Sequence, residues 1–504
     1  MSLGELSTEL DCAIVSFLED DKRALSAFSK VSKYYRAIAE PHLYQALGFK
    51  SVEWESLTRL LLTLIKREDL ALHITIFTLD CGTNIPMQSI LPSMENIGQD
   101  LWNSVSAIRD KLNDVLSLKR SSDGTSLAFR ILSQLYTTEF PDAVVAVVLC
   151  LATNLRQIHL CAPKEWPLRS VWAALSSPWE HSAKRPFEKL EFLSICGCGG
   201  MLVPPPVILP PMTHLVIANC NFGAELAAGT NPFCHPLPIP KAPSRPALED
   251  LRLHSVDATP ASIQHLISSP WLRGLRGLHV CNSVPYGDDM QASWNLPGML
   301  RALERFAPSL ETLEWFGQSC YEEPPVFDTF RHLDHLVYLN IDLHLLCPLT
   351  DDECEALYSP ETLFPPSLLQ LKINTIPCKK LDRMVSRVIE PLPQGKSRGA
   401  AMVDVTKAMG SKVPFKSLVL DVSMVEYYED ATDRIDLLEL DPMTVHFLRL
   451  AADVWITMGI QLQVYRIPDT DEEESHKLLI EPGWTAPAPH SARTTVKASE
   501  ETGT

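Results

Sequence analysis

The stretch Leu310–Phe316, read LETLEWF, places large apolar side chains at its first, fourth and sixth positions. Leu248–His254 (LEDLRLH) and Leu275–Cys281 (LRGLHVC) repeat the arrangement. In an extended chain successive side chains point to opposite faces, so the fourth and sixth residues share one face and the fifth and seventh the other. The same triad, with other large apolar residues allowed, starts at Leu155, Leu190, Met212, Leu248, Leu275, Leu310, Leu336, Leu368 and Phe415. At 46% apolar composition, three chosen positions match by chance about one time in ten, so the triad alone is weak. The middle position is stronger: it is Leu193, Leu215, Leu251, Leu278, Leu313, Leu339, Leu371 and Leu418, with Ile158 the one departure.

Each triad predicts a short strand with its apolar face inward, each buried leucine contributing ~1.5–3 kcal/mol. The intervening segments return on the other side, and Ala261–Ser268, Pro297–Phe306 and Leu381–Ile389 have helical patterns. The starts lie between 22 residues (Leu190 to Met212) and 47 residues (Leu368 to Phe415) apart, whereas regular leucine-rich repeats keep to ~20–29. The array therefore resembles a degenerate, irregular leucine-rich-repeat solenoid, an α/β fold with a curved parallel sheet. His73–Leu79 reads as an earlier strand and Gln461–Tyr465 as a closing one. Met443–Met458 fits a helix with Val445, Leu448, Ala452 and Trp455 inward. Ahead of the first triad, Leu101, Val105, Ile108, Leu112 and Val115 share a helical face, and Ala143–Leu151 is a second apolar stretch.

The first fifty residues have a different pattern. Thr8 and Asp11 fit a capping box, and Leu10, Ile14, Phe17 and Leu18 make one stripe. Glu19, Asp20 and Asp21 favour the positive end of a second helix, whose stripe is Ala24, Leu25, Phe28 and Val31. A third helix over Tyr34–Ala39 is expected to stop before Pro41, because the residue preceding proline is pushed out of helical geometry. So short a chain hides only ~60% of its unfolded surface, which leaves apolar area for a partner.

Leu6, Glu9, Leu10, Ile14, Leu18, Leu25, Phe28, Val31, Ser32, Lys33, Tyr35 and Arg36 follow the pattern of an F-box, which this module resembles. Ser7 stands where that family usually has proline, giving up a pre-set backbone angle worth ~0.4–1 kcal/mol. The resemblance implies docking onto the Skp-type adaptor of a cullin-RING ubiquitin ligase, with Leu6, Leu10, Ile14, Leu18, Leu25, Phe28 and Val31 supplying the module's core and its adaptor contact.

Composition narrows the partners. The 504 residues carry 44 basic and 62 acidic side chains, a net charge of −18, which repels phosphate backbones and argues against nucleic acid. The longest apolar run, Ala143 to Ala152, is far below the ~18 residues needed to span a bilayer, and the N-terminus lacks a basic leader. No membrane association and an intracellular location, cytoplasmic or nuclear, are expected. The 13 cysteines, an odd number at wide spacings, read as reduced thiols.

Cys196 and Cys198 flank Gly197 without the paired spacing of a zinc site, so they are expected to pack against the neighbouring repeat. No phosphate loop, dinucleotide fingerprint or nucleophile elbow appears, and no catalytic residue, metal or cofactor is assigned. Trp166, Trp172, Trp179, Trp271 and Trp294 read as core or loop anchors. Proline crowds 204–211 and 232–246, which predicts long loops.

The expected organisation is an F-box-like helical module at 1–50, a helical linker region at 51–154, the irregular solenoid at 155–466 and a disordered tail at 467–504. The whole is similar to the F-box and leucine-rich-repeat proteins of filamentous fungi. That similarity implies a non-catalytic substrate-recognition subunit of an SCF-type ubiquitin ligase, with chemistry left to other subunits. The alternative is a ligase-independent repeat scaffold. Concave solenoid faces are extended binding surfaces. By register, contacts to an unidentified protein substrate fall to Arg252, His254, His279, Glu314, Phe316, Tyr338, Asn340, Asp342 and Lys372, with His159 and Asn374 on the same face.

Overall fold

Every leucine triad becomes a strand, and within each of two units consecutive strands lie side by side. The computed structural model describes residues 7–50, 54–81, 95–115, 127–135, 140–162, 168–175, 186–197, 210, 212–222, 248–258, 263, 266–267, 270–281, 296–316, 329–346, 363–423, 440–467 and 477–480. The chain divides into two units: residues 1–357 with 362–368, and residues 358–361 with 369–504.

In the first unit, β1 (Ala46–Lys50), β2 (Ile76–Asp80), β3 (Gln157–Ala162), β4 (Phe192–Gly197), β5 (His214–Ala218), β7 (Asp250–His254), β9 (Gly277–Cys281), β10 (Thr312–Phe316) and β11 (Tyr338–Asp342) follow one another in a parallel sheet. The short β6 (Asn221–Phe222) and β8 (Asp257–Ala258) pair with each other. The register aligns the triads: Leu193 lies opposite Leu215, Leu251 opposite Leu278, and Leu313 opposite Leu339. All three residues of each triad are buried. This is a solenoid-like α/β architecture, as the periodicity implied.

A backbone device recurs at each strand entry. The carbonyl of the triad's second residue accepts two N–H groups from the next repeat. Glu249 O, for example, receives Arg276 N at 2.7 Å and Gly277 N at 2.8 Å, and Arg276 O receives Glu311 N and Thr312 N, both at 2.8 Å. Before the strand, the triad's first N–H closes a turn onto the residue three earlier: Leu190 onto Phe187, Leu275 onto Leu272, Leu310 onto Ala307 and Leu336 onto Leu333. Those earlier residues are themselves buried. A chain reversal and the start of pairing are thus satisfied by the same few backbone groups, which gives these donors partners where the chain enters the core.

Helices α1 (Thr8–Phe17), α2 (Lys22–Ser29) and α3 (Lys33–Gln45) precede β1. Then come α4 (Trp54–Lys66), α5 (Glu68–Ala71), α6 (Glu95–Val115), α7 (Leu127–Gln134), α8 (Phe140–Leu151) and α9 (Arg169–Leu175). Residues Ala143 to Leu151 of α8 are apolar all round and all buried, as a helix surrounded by α4, α6, α7 and α9 must be. The N-terminus of α9 is capped from a distance. The buried carboxylate of Asp142 accepts from Ser170 N at 2.5 Å and Val171 N at 3.1 Å, satisfying donors that the helix itself leaves open.

Three expectations for the N-terminal module are corrected. The first helix is entered from Ser7, whose carbonyl receives Leu10 N and Asp11 N at 3.0 Å, and Thr8 and Asp11 form no capping box. The third helix does not stop at Ala39 but runs through Pro41 to Gln45. Ala39 and Leu43, one turn apart, both pack into the small core around Val15 and Leu25. That burial outweighs the single backbone bond proline cannot donate. Residues 46–50, expected within the helical module, instead form β1.

The second unit holds β12 (Gln370–Pro377), β13 (Ser417–Ser423) and β14 (Gln461–Ile467) in parallel, with β15 (Lys477–Ile480) antiparallel to β14. Its helices are Cys378–Ile389, Lys396–Lys412 and Pro442–Thr457. The second of these has no clear apolar stripe and was not expected from the sequence. In the third, Thr444, Phe447, Leu448, Ala451, Ala452 and Trp455 are buried, whereas Val445, expected inward, is half-buried. Trp455 Nε1 donates to Thr406 O at 2.8 Å, and a Cβ on Gly410 would fall 2.9 Å from the indole, so glycine there permits the helices' close approach.

Candidate functional site

The sheet's outer face in the first unit carries charge. On β7, Asp250 and Arg252 alternate with the buried Leu251 and Leu253. Arg252 Nε donates to Asp250 Oδ1 at 2.8 Å. On β9, His279 sits at the register position of Arg252, and on β10 Glu314 sits at that of His279. His279 Nε2 lies 3.3 Å from Asp250 Oδ2 and its Nδ1 3.1 Å from Glu314 Oε2. A neutral imidazole donates from one nitrogen only, so carboxylates at both nitrogens call for the cation. Burial opposes that charge, but the hydrogen bonds to Asp250 and Glu314 prevail and hold the His279 pKa at about 9. Burial likewise opposes ionisation of Asp250, and its bonds to His279 and Arg252 bring the carboxyl down to about 2.

This cluster depends on a missing side chain. A Cβ on Gly277 would stand 2.9 Å from Asp250 Oδ2 and 3.2 Å from His279 Nε2. Glycine at that position on β9 lets the two groups meet directly above the backbone. Next to the cluster, burial, then the positive Arg252 and His279, lower the pKa of His254. The Cys281 thiol is pushed up to about 12 by burial and, secondarily, by Glu314.

Of the residues expected on this face, Arg252, His254, His279 and Glu314 converge on one area. Phe316 and Tyr338 are half-buried on β10 and β11. Asn340 and Asp342 depart from the expectation of an open surface: they are 5% and 1% exposed. The simple alternation expected for the triads ends here, since β11 is buried from Leu339 through Asp342. His159 lies further along the sheet, its ring 4.8 Å from that of Phe192. Lys372 and Asn374 belong to the second unit, where Lys372 Nζ meets Asp421 Oδ2 at 2.7 Å and Asn374 is buried. Asp250, Gly277 and Phe192 were not picked out from the sequence. Asp250 and Phe192 occupy the third triad position, which shares a face with the fifth and seventh, so the register itself held the signal.

A second surface lies on the three N-terminal helices. Their core is Val15, Leu25 and Ala39, flanked by Leu18, Phe28, Ile38 and Leu43. Outside it, Phe17 is 91% exposed, Val31 61%, Leu10 53% and Tyr34 46%. Thus the expected contact set divides: Leu25 is core, Leu18 and Phe28 flank the core, Ile14 is half-buried, and Leu10 and Val31 face outward. Leu6 lies outside the described residues. The inward polar residue of α1 is Asp11, almost wholly buried, with its Oδ2 accepting from Tyr34 Oη at 3.0 Å.

A third feature is a pair of thiols. Cys161 on β3 and Cys196 on β4 are register partners and both partly exposed. Asn219 Nδ2 donates to Cys196 Sγ at 3.4 Å. A hydrogen bond from the Cys161 thiol is the main reason the Cys196 pKa falls to about 6, with burial opposing and Asn219 assisting. Cys198, the other cysteine of the Cys-Gly-Cys stretch, lies outside the described residues, as do both proline-crowded stretches apart from Pro210. Trp172 is buried, as expected of an anchor. No helix among the described residues is long and apolar enough to cross a membrane.

Compared with models of known protein families and with curated proteins, the sequence matches none of either.

Proposed function

We propose that the chain is the substrate-recognition subunit of an SCF-type cullin-RING ubiquitin ligase, holding a Skp-type adaptor by its N-terminal helices and a protein substrate by the outer face of its irregular leucine-rich repeats. The observation that carries this reading is the apolar surface left on α1–α3. Phe17, Val31, Leu10 and Tyr34 stand in water around a core of only three fully buried side chains. Exposed apolar groups on a small module mark an association surface, and two of these residues, Leu10 and Val31, belong to the F-box pattern, which points to the partner. Phe17 and Val31, as the most exposed, make the contact; Leu25 and Phe28 hold the module's shape.

The substrate face is the area around Arg252, His254, His279 and Glu314. Its alternating charges fit a polar peptide surface, with Phe316 and Tyr338 adding apolar contact. The ligase's other subunits carry the ubiquitin-transfer chemistry, and this chain raises the substrate's effective concentration beside them.

A ligase-independent scaffold is the second reading, favoured by how firmly the helices are tied to the sheet. α3 runs directly into β1, Arg67 pairs with Glu40 of α3 at 3.0 Å, and Thr75 N donates to Gln45 O at 2.9 Å. On that reading the helices only cap the first strand.

Co-purification with the Skp-type adaptor separates the two. Phe17→Glu with Val31→Glu leaves the core untouched, so the variant is expected to fold and to lose adaptor binding by at least ~100-fold, the scale of desolvating charges in an apolar contact. Full binding by this variant, or no binding by the unaltered chain, overturns the ligase reading.

A further inference from the structure

Cys161 and Cys196 form a built arrangement rather than two stray thiols. They occupy matching positions on adjacent parallel strands, with Asp80 opposite Cys161 on one side and Ala218 opposite Cys196 on the other. Their neighbours Leu160, Ala162 and Ile195 are buried, which turns both sulfurs to the outer face. Asn219 adopts a left-handed backbone, φ 51°, just after β5. Its N–H bonds His254 O at 2.9 Å, which fixes it where its amide reaches Cys196 Sγ. Adjacent strands run ~4.7–4.9 Å apart, inside the ~4.4–6.8 Å Cα separation that a disulfide spans. Side chains leave a sheet side by side rather than converging, so the bond needs a small adjustment and is readily reduced again.

We propose that Cys161 and Cys196 constitute a reversible oxidation site, at which a peroxide converts the two thiols into a cross-strand disulfide. The Cys196 thiolate attacks one oxygen of hydrogen peroxide; the O–O bond breaks, hydroxide leaves, and Cys196 becomes a sulfenic acid. Cys161 sulfur then attacks the Cys196 sulfur; the S–S bond forms, the S–O bond breaks, and the hydroxyl departs as water with the Cys161 proton. In total two thiols and one peroxide give one disulfide and two waters. Asn219 and the Cys161 S–H both donate toward Cys196 and stabilise its anion, and Asp80 opposes it from the far side of Cys161. Cys196 is therefore the attacking residue and Cys161 the resolving one.

Five other thiols differ from this pair. Cys81, Cys150, Cys220 and Cys281 are buried, and burial holds Cys81, Cys150 and Cys281 protonated by raising each to about 12. Cys12 is exposed on α1 and serves as the internal comparison. The site is independent of the ligase reading.

The test uses the full reduced chain with hydrogen peroxide at neutral pH, followed by peptide mass mapping. One disulfide joining the peptides of Cys161 and Cys196, reversed by dithiothreitol, is expected. Before oxidation, iodoacetamide alkylates Cys196 about tenfold faster than Cys12, as a thiol largely ionised at neutral pH should react. Cys161→Ser stops the reaction at a Cys196 sulfenic acid trapped by dimedone, and Asn219→Ala slows alkylation of Cys196 severalfold. A peroxide-treated chain without the Cys161–Cys196 link, or with Cys196 joined as often to another cysteine, overturns the proposal. So does alkylation of Cys12 as fast as Cys196. Both of these measurements use the unaltered chain and do not depend on any variant folding.

Discussion

The helical module and the strand region of the first unit place their side chains in opposite ways. In α1–α3 a carboxylate, Asp11, lies inside while Phe17, Val31 and Leu10 face water. In the sheet the leucines are sealed, and Asp250, Arg252, His279 and Glu314 face outward. A chain that only minimised its own apolar exposure would not arrange its first forty residues so. On the proposed function the two surfaces do different work: apolar association at the helices, polar recognition along the face of the sheet.

The largest expected effect tests the sealed side. Leu278 is buried in the middle of the triad on β9, between Leu251 and Leu313 on the neighbouring strands. Leu278→Ala removes its packing and leaves a cavity, for an expected loss of ~2–5 kcal/mol. Urea unfolding followed by circular dichroism measures it. A loss below ~1 kcal/mol would mean the triads are not the core that holds the strands.

Next comes the residue that lets the outer charges meet. Gly277→Ala places a methyl group where Asp250 Oδ2 lies 2.9 Å away. Relieving the strand of glycine is slightly favourable in itself, at ~0.5–1 kcal/mol. Overpacking and the displaced ion pair cost more, so the expected net loss is ~1–2 kcal/mol. The sharper readout is the His279 ring by NMR titration. Its pKa should fall from about 9 toward the ordinary ~6.5, and an unchanged titration would sink the idea that Gly277 admits the contact.

Much of this sheet was legible because alternation is a strict rule. Once a triad fixes two inward residues, the outward ones follow, and all nine triads became strands with their apolar residues buried. The legibility failed where side chains obey other partners. Asn340 and Asp342 follow the alternation in sequence yet are buried on β11, and periodicity says nothing about what covers a strand's outer face. Gly277 gave no signal in the sequence, because its role is to be empty. In the helices the apolar stripe was visible, but Val15 and Asp11 took the inward face that the stripe of Leu10, Ile14 and Phe17 seemed to claim. A helix with apolar residues on both sides has no single face for a periodicity to find. Pro41 misled for a similar reason: local geometry argued for an end, and burial of Ala39 and Leu43 decided otherwise.

The pH dependence follows from the same cluster. His279 titrates near 9 in the folded chain and at ~6.5 unfolded. A raised histidine stabilises fully below the unfolded value and loses that contribution as pH climbs through the folded one. The rise sets an upper limit of ~3 kcal/mol; water reaching Glu314 and Arg252 reduces the expectation to ~1–2 kcal/mol. Asp250, lowered to about 2, gives the opposite sign: its contribution stands above ~3.9 and is lost only as pH falls toward 2. The urea midpoint should therefore drop between pH 6.5 and 9 in the unaltered chain. In His279→Gln that drop should be largely gone, and an equal drop in both would move its cause to another group.

The smallest effect on stability carries the most weight for the comparison. Phe17 is 91% exposed at the end of α1, so Phe17→Ser removes almost no packing from the folded chain and should change the unfolding free energy by no more than ~0.5 kcal/mol. The same substitution takes away the largest apolar group on the helical surface, and hot-spot aromatics of that kind contribute ~2 kcal/mol or more to association. A side chain that stabilises nothing within its own chain but is required for binding has its apolar partner on another molecule. Thermal unfolding and adaptor capture measured on one preparation distinguish this from a packing role. A marked loss of stability would show that Phe17 belongs to the core of this chain, and the inversion between helices and sheet would then collapse into a single, ordinary arrangement.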